Sequence, residues 1–146
     1  MTDPKIVLKN SSRILLIDWP NPTVPRRLVN AGFSVFCYSP EQFSIAQIVR
    51  EYPNDVNQKN IFPPSNIQDG YLALRQIDSS PGSIDIVNIY RPEEEHADII
   101  TNHVLPLDAK VIWLQPPIMS ENTRLLAEKH NLIFIEGLDI AEAASF

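Results

Sequence analysis

Short apolar runs alternate with longer polar stretches along most of this chain, and the clearest case lies between Ile84 and Gln115. There, Ile84-Asp-Ile-Val-Asn-Ile-Tyr90 and Val111-Ile-Trp-Leu-Gln115 flank a polar segment of helical length. Runs this short, rich in β-branched residues and bounded by Pro and Asp, read as strands buried on both faces. Two such strands joined by a helix-length segment make a βαβ unit, so they run parallel.

The same pattern continues on either side. Residues 13–17 predict a first strand, 18–23 a loop, and 24–31 a short helix with Thr23 as N-cap and Pro25 tolerated in the first turn. Gly32 stops that helix and residues 33–38 predict the second strand. Ile45, Ile48, Val49 and Tyr52 then fall at i, i+3, i+4 and i+7, which predicts a helix capped by Ser44 and stopped by Pro53. Residues 54–69 are polar, contain Pro63-Pro64, and predict a long exposed loop. Residues 71–77 fit a helical turn or a strand. Ser120 caps a further helix, residues 132–136 predict the last strand, and 139–144 a closing helical turn. The expected fold is α/β: a single doubly wound, Rossmann-like domain over residues 1–146. Its mostly parallel sheet is expected to have five strands, at 14–17, 33–38, 84–90, 111–114 and 132–135.

Composition narrows the partners. A chain of 146 residues, 44% apolar and 21% charged, has ordinary globular composition. It is long enough to bury roughly 70% of its unfolded surface. The net charge of -6, with Arg26-Arg27 the only adjacent basic pair, argues against nucleic acid. No apolar run approaches the ~18 residues of a membrane span. The N-terminal residues lack the apolar core of a signal peptide, and the lone Cys37 excludes an internal disulfide, so a cytoplasmic protein is expected. Thirteen prolines against four glycines matter more. Glycine lets backbone approach a phosphate closely, whereas proline removes a donor.

Tyr71-x-x-Leu74-x-x-Ile77 followed by Ile84-Asp-Ile-Val-Asn-Ile-Tyr-Arg-Pro-Glu93, with Asp108-Ala-Lys-Val-Ile-Trp-Leu-Gln115, resembles the stand-alone CoA-binding domain family. These stretches are also similar to the N-terminal Rossmann-like domain of the succinyl-CoA synthetase α subunit. Asp18-Trp19-Pro20, Val24-Pro25 and Ala31-Gly32-Phe33 are similar to one branch of that family. The likeness starts near Arg13, with residues 41–69 variable and poorly matched. It implies a pocket for CoA, acyl-CoA or another adenine nucleotide at the carboxyl edge of the sheet, and no established reaction. It implies ligand contacts from Asp18, Trp19 and Asn21, from Tyr38, Ser39 and Pro40, from Tyr90, Arg91 and Pro92, and from Gln115 and Pro116. The departure is the first loop, where members usually present small residues whose amides meet a diphosphate at a helix N-terminus. Here three of the eight positions from 18 to 25 are prolines, and Asp18 adds negative charge. Arg26 and Arg27 are the available compensating charges.

Each of these residues also has a structural reading. Asp18 either orients a ligand hydroxyl or satisfies loop amides. Trp19 stacks on a base or covers the core end. Arg91 takes a phosphate or pairs with a nearby Glu. Glu93-x-x-His96 is one copy of a spacing that di-iron sites need twice, so its acids read as helix N-terminal charge and no metal site is expected. Cys37 reads as a core residue. No catalytic residue is expected, because no general base with a defined partner is visible. The reading is a non-catalytic nucleotide-binding module. The alternative is an interaction or assembly domain with a decayed site, forming a homo-oligomer or a partner contact over apolar groups such as Ile61, Phe62, Pro63 and Pro64.

Overall fold

The computed structural model describes residues 3–39, 41–64 and 66–145. Its sheet has eight strands in one continuous layer, not the five expected. They are β1 (Arg13–Ile17), β2 (Ser34–Tyr38), β3 (Phe43–Val49), β4 (Ile61–Phe62), β5 (Tyr71–Gln76), β6 (Ile86–Ile89), β7 (Val111–Leu114) and β8 (Ile133–Ile135), in the order β4-β5-β3-β2-β1-β6-β7-β8. Strands β2, β1, β6, β7 and β8 pair in parallel, at the five spans expected. β3, β5 and β4 extend the sheet by antiparallel pairing beyond β2.

The sequence misleads between residues 41 and 69. The helix expected there is β3, and Ser44, expected to cap it, pairs with Cys37 and Gln76 inside the ladder. Apolar residues at 45, 48 and 49 suit a helical face, but they are also β-branched and pack well on a pleated surface. What decides is β5, which gives β3 a six-residue antiparallel partner from Ser44↔Gln76 to Val49↔Tyr71. The supposed exposed loop contributes β4, in which Ile61 is buried and Phe62 packs on the core. Arg26 draws this edge in, its guanidinium donating to the carbonyls of Gly70 (2.9 Å), Phe62 (3.1 Å) and Asp69 (3.3 Å). The apolar surface expected at 61–64 is therefore partly buried within the chain itself.

Five α-helices lie among the described residues: α1 (Pro4–Lys9), α2 (Thr23–Asn30), α3 (His96–Ile99), α4 (Glu121–Lys129) and α5 (Ile140–Ala143). α1 has no counterpart in the sequence reading; Asp3 caps it and Val7 and Leu8 bury its face. The period-two alternation of the strands sorts the core into two layers. Ile14, Leu16, Ile86 and Trp113 pack under α2 and α5, and Leu15, Ile17, Val87, Ile89 and Ile112 pack under the 93–104 segment and α4. Cys37 lies in the first layer at 1% exposure, and burial pushes its thiol pKa far above the ordinary value. It is a packing residue.

One position breaks the apolar pattern. Asn88 sits between Leu16 and Trp113 in the ladder, fully buried, and neither amide atom meets a hydrogen-bond partner among the described residues. Buried polar atoms left unpaired cost stability. Asn88→Val removes both and suits a strand, so urea denaturation should show a gain of about 1–2 kcal/mol. A loss would mean that the amide is satisfied in solution.

Candidate functional site

The two connections that leave β1 and β6 go to opposite faces of the sheet. α2, after β1, packs on the Leu16 layer, whereas the 93–104 segment, after β6, packs on the Ile17 layer. Between such diverging connections a crevice opens outside the carboxyl ends of the strands. The chain has there a cavity of about 310 Å³ lined by Ile17, Asp18, Tyr38, Ser39, Glu41, Arg91, Glu95, Asp98, Ile99 and His103.

Asp18 enters it because the backbone turns sharply at the end of β1. Its φ of 64° is left-handed, a conformation Asp tolerates better than most residues. The turn is held by the Asp18 N–H to the Tyr38 carbonyl (3.2 Å) and by Asp18 Oδ1 accepting from the Trp19 N–H (2.9 Å). The other carboxylate oxygen, Oδ2, accepts from Arg91 Nη1 at 3.0 Å. Arg91 also donates from Nε and Nη2 to Glu95, at 3.1 and 2.7 Å. The Glu95 and Asp18 hydrogen bonds together raise the Arg91 pKa further, and Arg91 in turn holds the Glu95 carboxyl below the usual range. Of the two readings of Arg91, the ion pair with a nearby Glu is present, in Glu95, and Asp18 adds a second carboxylate.

The segment after β6 is anchored from beneath. A 3₁₀ turn (Glu93–Glu95) runs into α3, which widens into a π-turn (Ile100–Val104) closed by the Leu105 N–H to the Ile100 carbonyl at 3.0 Å. His96, at 1% exposure, bridges the Arg91 carbonyl (Nε2, 2.8 Å) and the Thr123 hydroxyl on α4 (Nδ1, 2.7 Å). A carbonyl only accepts, so Nε2 carries a proton. The π-turn places His103 on the cavity wall beside Tyr38 (ring centroids 4.4 Å apart), and Phe43 lies against both. Burial lowers the His103 pKa below its ordinary value.

The N-terminus of α2 is closed to a ligand. Thr23, expected as its cap, is the first helical residue, preceded by Pro22. Asn21 acts instead: Oδ1 accepts from the Thr23 N–H (2.9 Å) and its carbonyl from the Val24 N–H (3.3 Å). Pro25 has no N–H, and the Arg26 N–H bonds the Pro22 carbonyl (3.1 Å). The donors that commonly meet a phosphate at such a helix are taken internally. Arg26, one candidate compensating charge, is committed to the β4–β5 edge.

Of the residues expected at the site, Asp18, Tyr38, Ser39 and Arg91 line the cavity. Trp19 and Ser39 border a neighbouring hollow of about 260 Å³ that reaches Lys59, Phe62 and Gln76. Asn21 caps α2. Tyr90 donates its N–H to the Ile17 carbonyl (3.0 Å), tying the β6 end to β1, and Pro92 opens the 3₁₀ turn. Gln115 is buried, its Oε1 accepting from the Ile140 N–H (3.2 Å), with Pro116 just beyond it; neither lines the cavity. Pro40 lies outside the described residues. Sequence reading missed Glu41, Glu95, Asp98 and His103 as cavity residues. The last three come from the continuous 93–104 segment, one each from its 3₁₀ turn, α3 and the π-turn, and only its packing against the ends of β1 and β2 reveals them. Among the described residues no three His, Cys, Asp or Glu side chains are grouped to hold a metal, and no helix is long and apolar enough to cross a membrane.

Comparison with known proteins agrees with this architecture. Residues 18–138 match the CoA binding domain family. The fold is similar to that of a Thermus thermophilus protein designated cell-free ID.343, with a TM-score of 0.62 at 15% identity over 97% of this chain and 96% of that one. A hypothetical protein from Pyrococcus horikoshii OT3 is also similar, with a TM-score of 0.64 at 17% identity over 98% of this chain and 89% of that one. No curated protein matches the chain.

Proposed function

The chain belongs to the CoA-binding domain family, and on that premise we propose that it is a non-catalytic module that binds CoA, acyl-CoA or a related adenine nucleotide. The observation that carries this reading is the cavity where Asp18, Tyr38, Ser39 and Arg91, from the ends of three strands, come together. The ligand's adenosine end occupies it. The Tyr38–His103 pair offers an aromatic wall for a base, and the Ser39 hydroxyl and the carboxylates offer partners for ribose hydroxyls. The 5′-phosphates run outward past Trp19, without the grip of the α2 N-terminus. Binding energy then comes from the nucleoside more than from the phosphates.

A thermal-shift series with CoA, acetyl-CoA, NAD, NADP, ATP and AMP tests this. A ligand at a hundred times its Kd adds about 2.7 kcal/mol, which moves Tm by several degrees. At least one of the six is expected to do so, and Ser39→Trp, which fills the cavity mouth, is expected to abolish the shift. A flat Tm with all six at millimolar concentration would remove the reading.

A further inference from the structure

We propose that this cavity selects adenine nucleotides whose ribose hydroxyls are free, and that Glu41 is the residue that excludes a phosphate on the ribose. The inference rests on the nucleotide reading above and names the ligand class within it. Glu41 follows β2 and lines the cavity from a left-handed turn (φ 63°), beside the Ser39 N–H to Gln42 carbonyl bond of 3.3 Å. In doubly wound sheets a carboxylate at the end of the second strand accepts from a ribose hydroxyl, and an arginine nearby is what accommodates a ribose phosphate.

Here the cavity's one arginine does not serve that purpose. Arg91 reaches it from the end of β6, already bonded through Nε and Nη2 to Glu95 and through Nη1 to Asp18. Its positive charge is more than balanced by those two carboxylates. Glu41 and Asp98 add two more to the lining, so four carboxylates share the cavity with one guanidinium. A ribose phosphate carries a charge of about -1.5 to -2 near neutrality. Groups lining so small a cavity lie within the ~8 Å Debye length of physiological salt, so solvent ions do not remove the repulsion. A ribose hydroxyl, by contrast, finds acceptors.

CoA and dephospho-CoA differ only in the 3′-phosphate and so isolate this term. Isothermal titration of the intact chain at low salt should show dephospho-CoA binding at least about ten-fold tighter, the factor that each 1.4 kcal/mol carries. Glu41 is exposed on a surface turn, so its variants keep the fold, which a circular dichroism melt confirms independently. Glu41→Gln should narrow the ratio several-fold, and Glu41→Arg should bring it to unity or reverse it. Equal or tighter binding of CoA by the native chain overturns the selectivity while leaving the nucleotide reading intact. A ratio that neither variant moves overturns the role of Glu41. Failure of both ligands to bind overturns the inference and the nucleotide reading together.

Discussion

Trp113→Ala is expected to lower the unfolding free energy by about 3–5 kcal/mol, the range for emptying a large aromatic site in a core. Trp113 is fully buried at the centre of β7, between Asn88 on one side and Ile135 on the other. Its ring packs in the layer under α2 and α5, and its Nε1 donates to the Leu138 carbonyl at 2.8 Å. The substitution leaves a cavity and an unpaired carbonyl, and the short strands around it have little freedom to collapse. Native domains hold only about 5–15 kcal/mol in all. Urea denaturation should therefore show a midpoint moved far down with an unchanged slope. A loss below about 1 kcal/mol would mean that β8 and α5 close over the gap, contrary to this packing.

His96→Leu should cost about 3 kcal/mol, although it removes no large volume. The ring joins the Arg91 carbonyl after β6 to the Thr123 hydroxyl on α4, beneath the contacts that Glu93 makes with Ser120 and Asn122 at the same helix start. Leucine leaves both groups buried without their partner, at roughly 1–3 kcal/mol for each. Thr123→Val alone should cost less. Combined with His96→Leu it should cost less than the sum, because the orphaned hydroxyl is then gone. Strict additivity in that double-mutant cycle would contradict the bridge. The same substitution frees the backbone of Arg91, so any ligand-induced rise in Tm should shrink along with stability. His96 thus acts on the cavity by positioning and does not touch it.

The outcome at Arg91 shows how the two levels of information divide. Its type and its place at a strand end were readable, since the apolar run 84–90 breaks there. Its partners were not, because Asp18 lies 73 positions away and reaches it only when β1 and β6 pair. The same holds for the helix expected at 45–52. Local spacing favoured it, and a strand 22 or more positions downstream outweighed that spacing by supplying a full ladder. Propensity is a weak prior, and tertiary pairing overrides it.

By itself the sequence determined the parallel half of the sheet, because continuous apolar runs separated by helix-length segments admit few other arrangements. It also determined that the first loop is poor in amide donors, since proline has none in any conformation. Only the tertiary structure decided the antiparallel extension, the closing of the α2 N-terminus by Asn21, and the pairing of Asp18 and Glu95 with Arg91 in a cavity that Glu41 and Asp98 also line. Those features depend on contacts between residues far apart in the chain, and local pattern carries no information about which distant groups will meet.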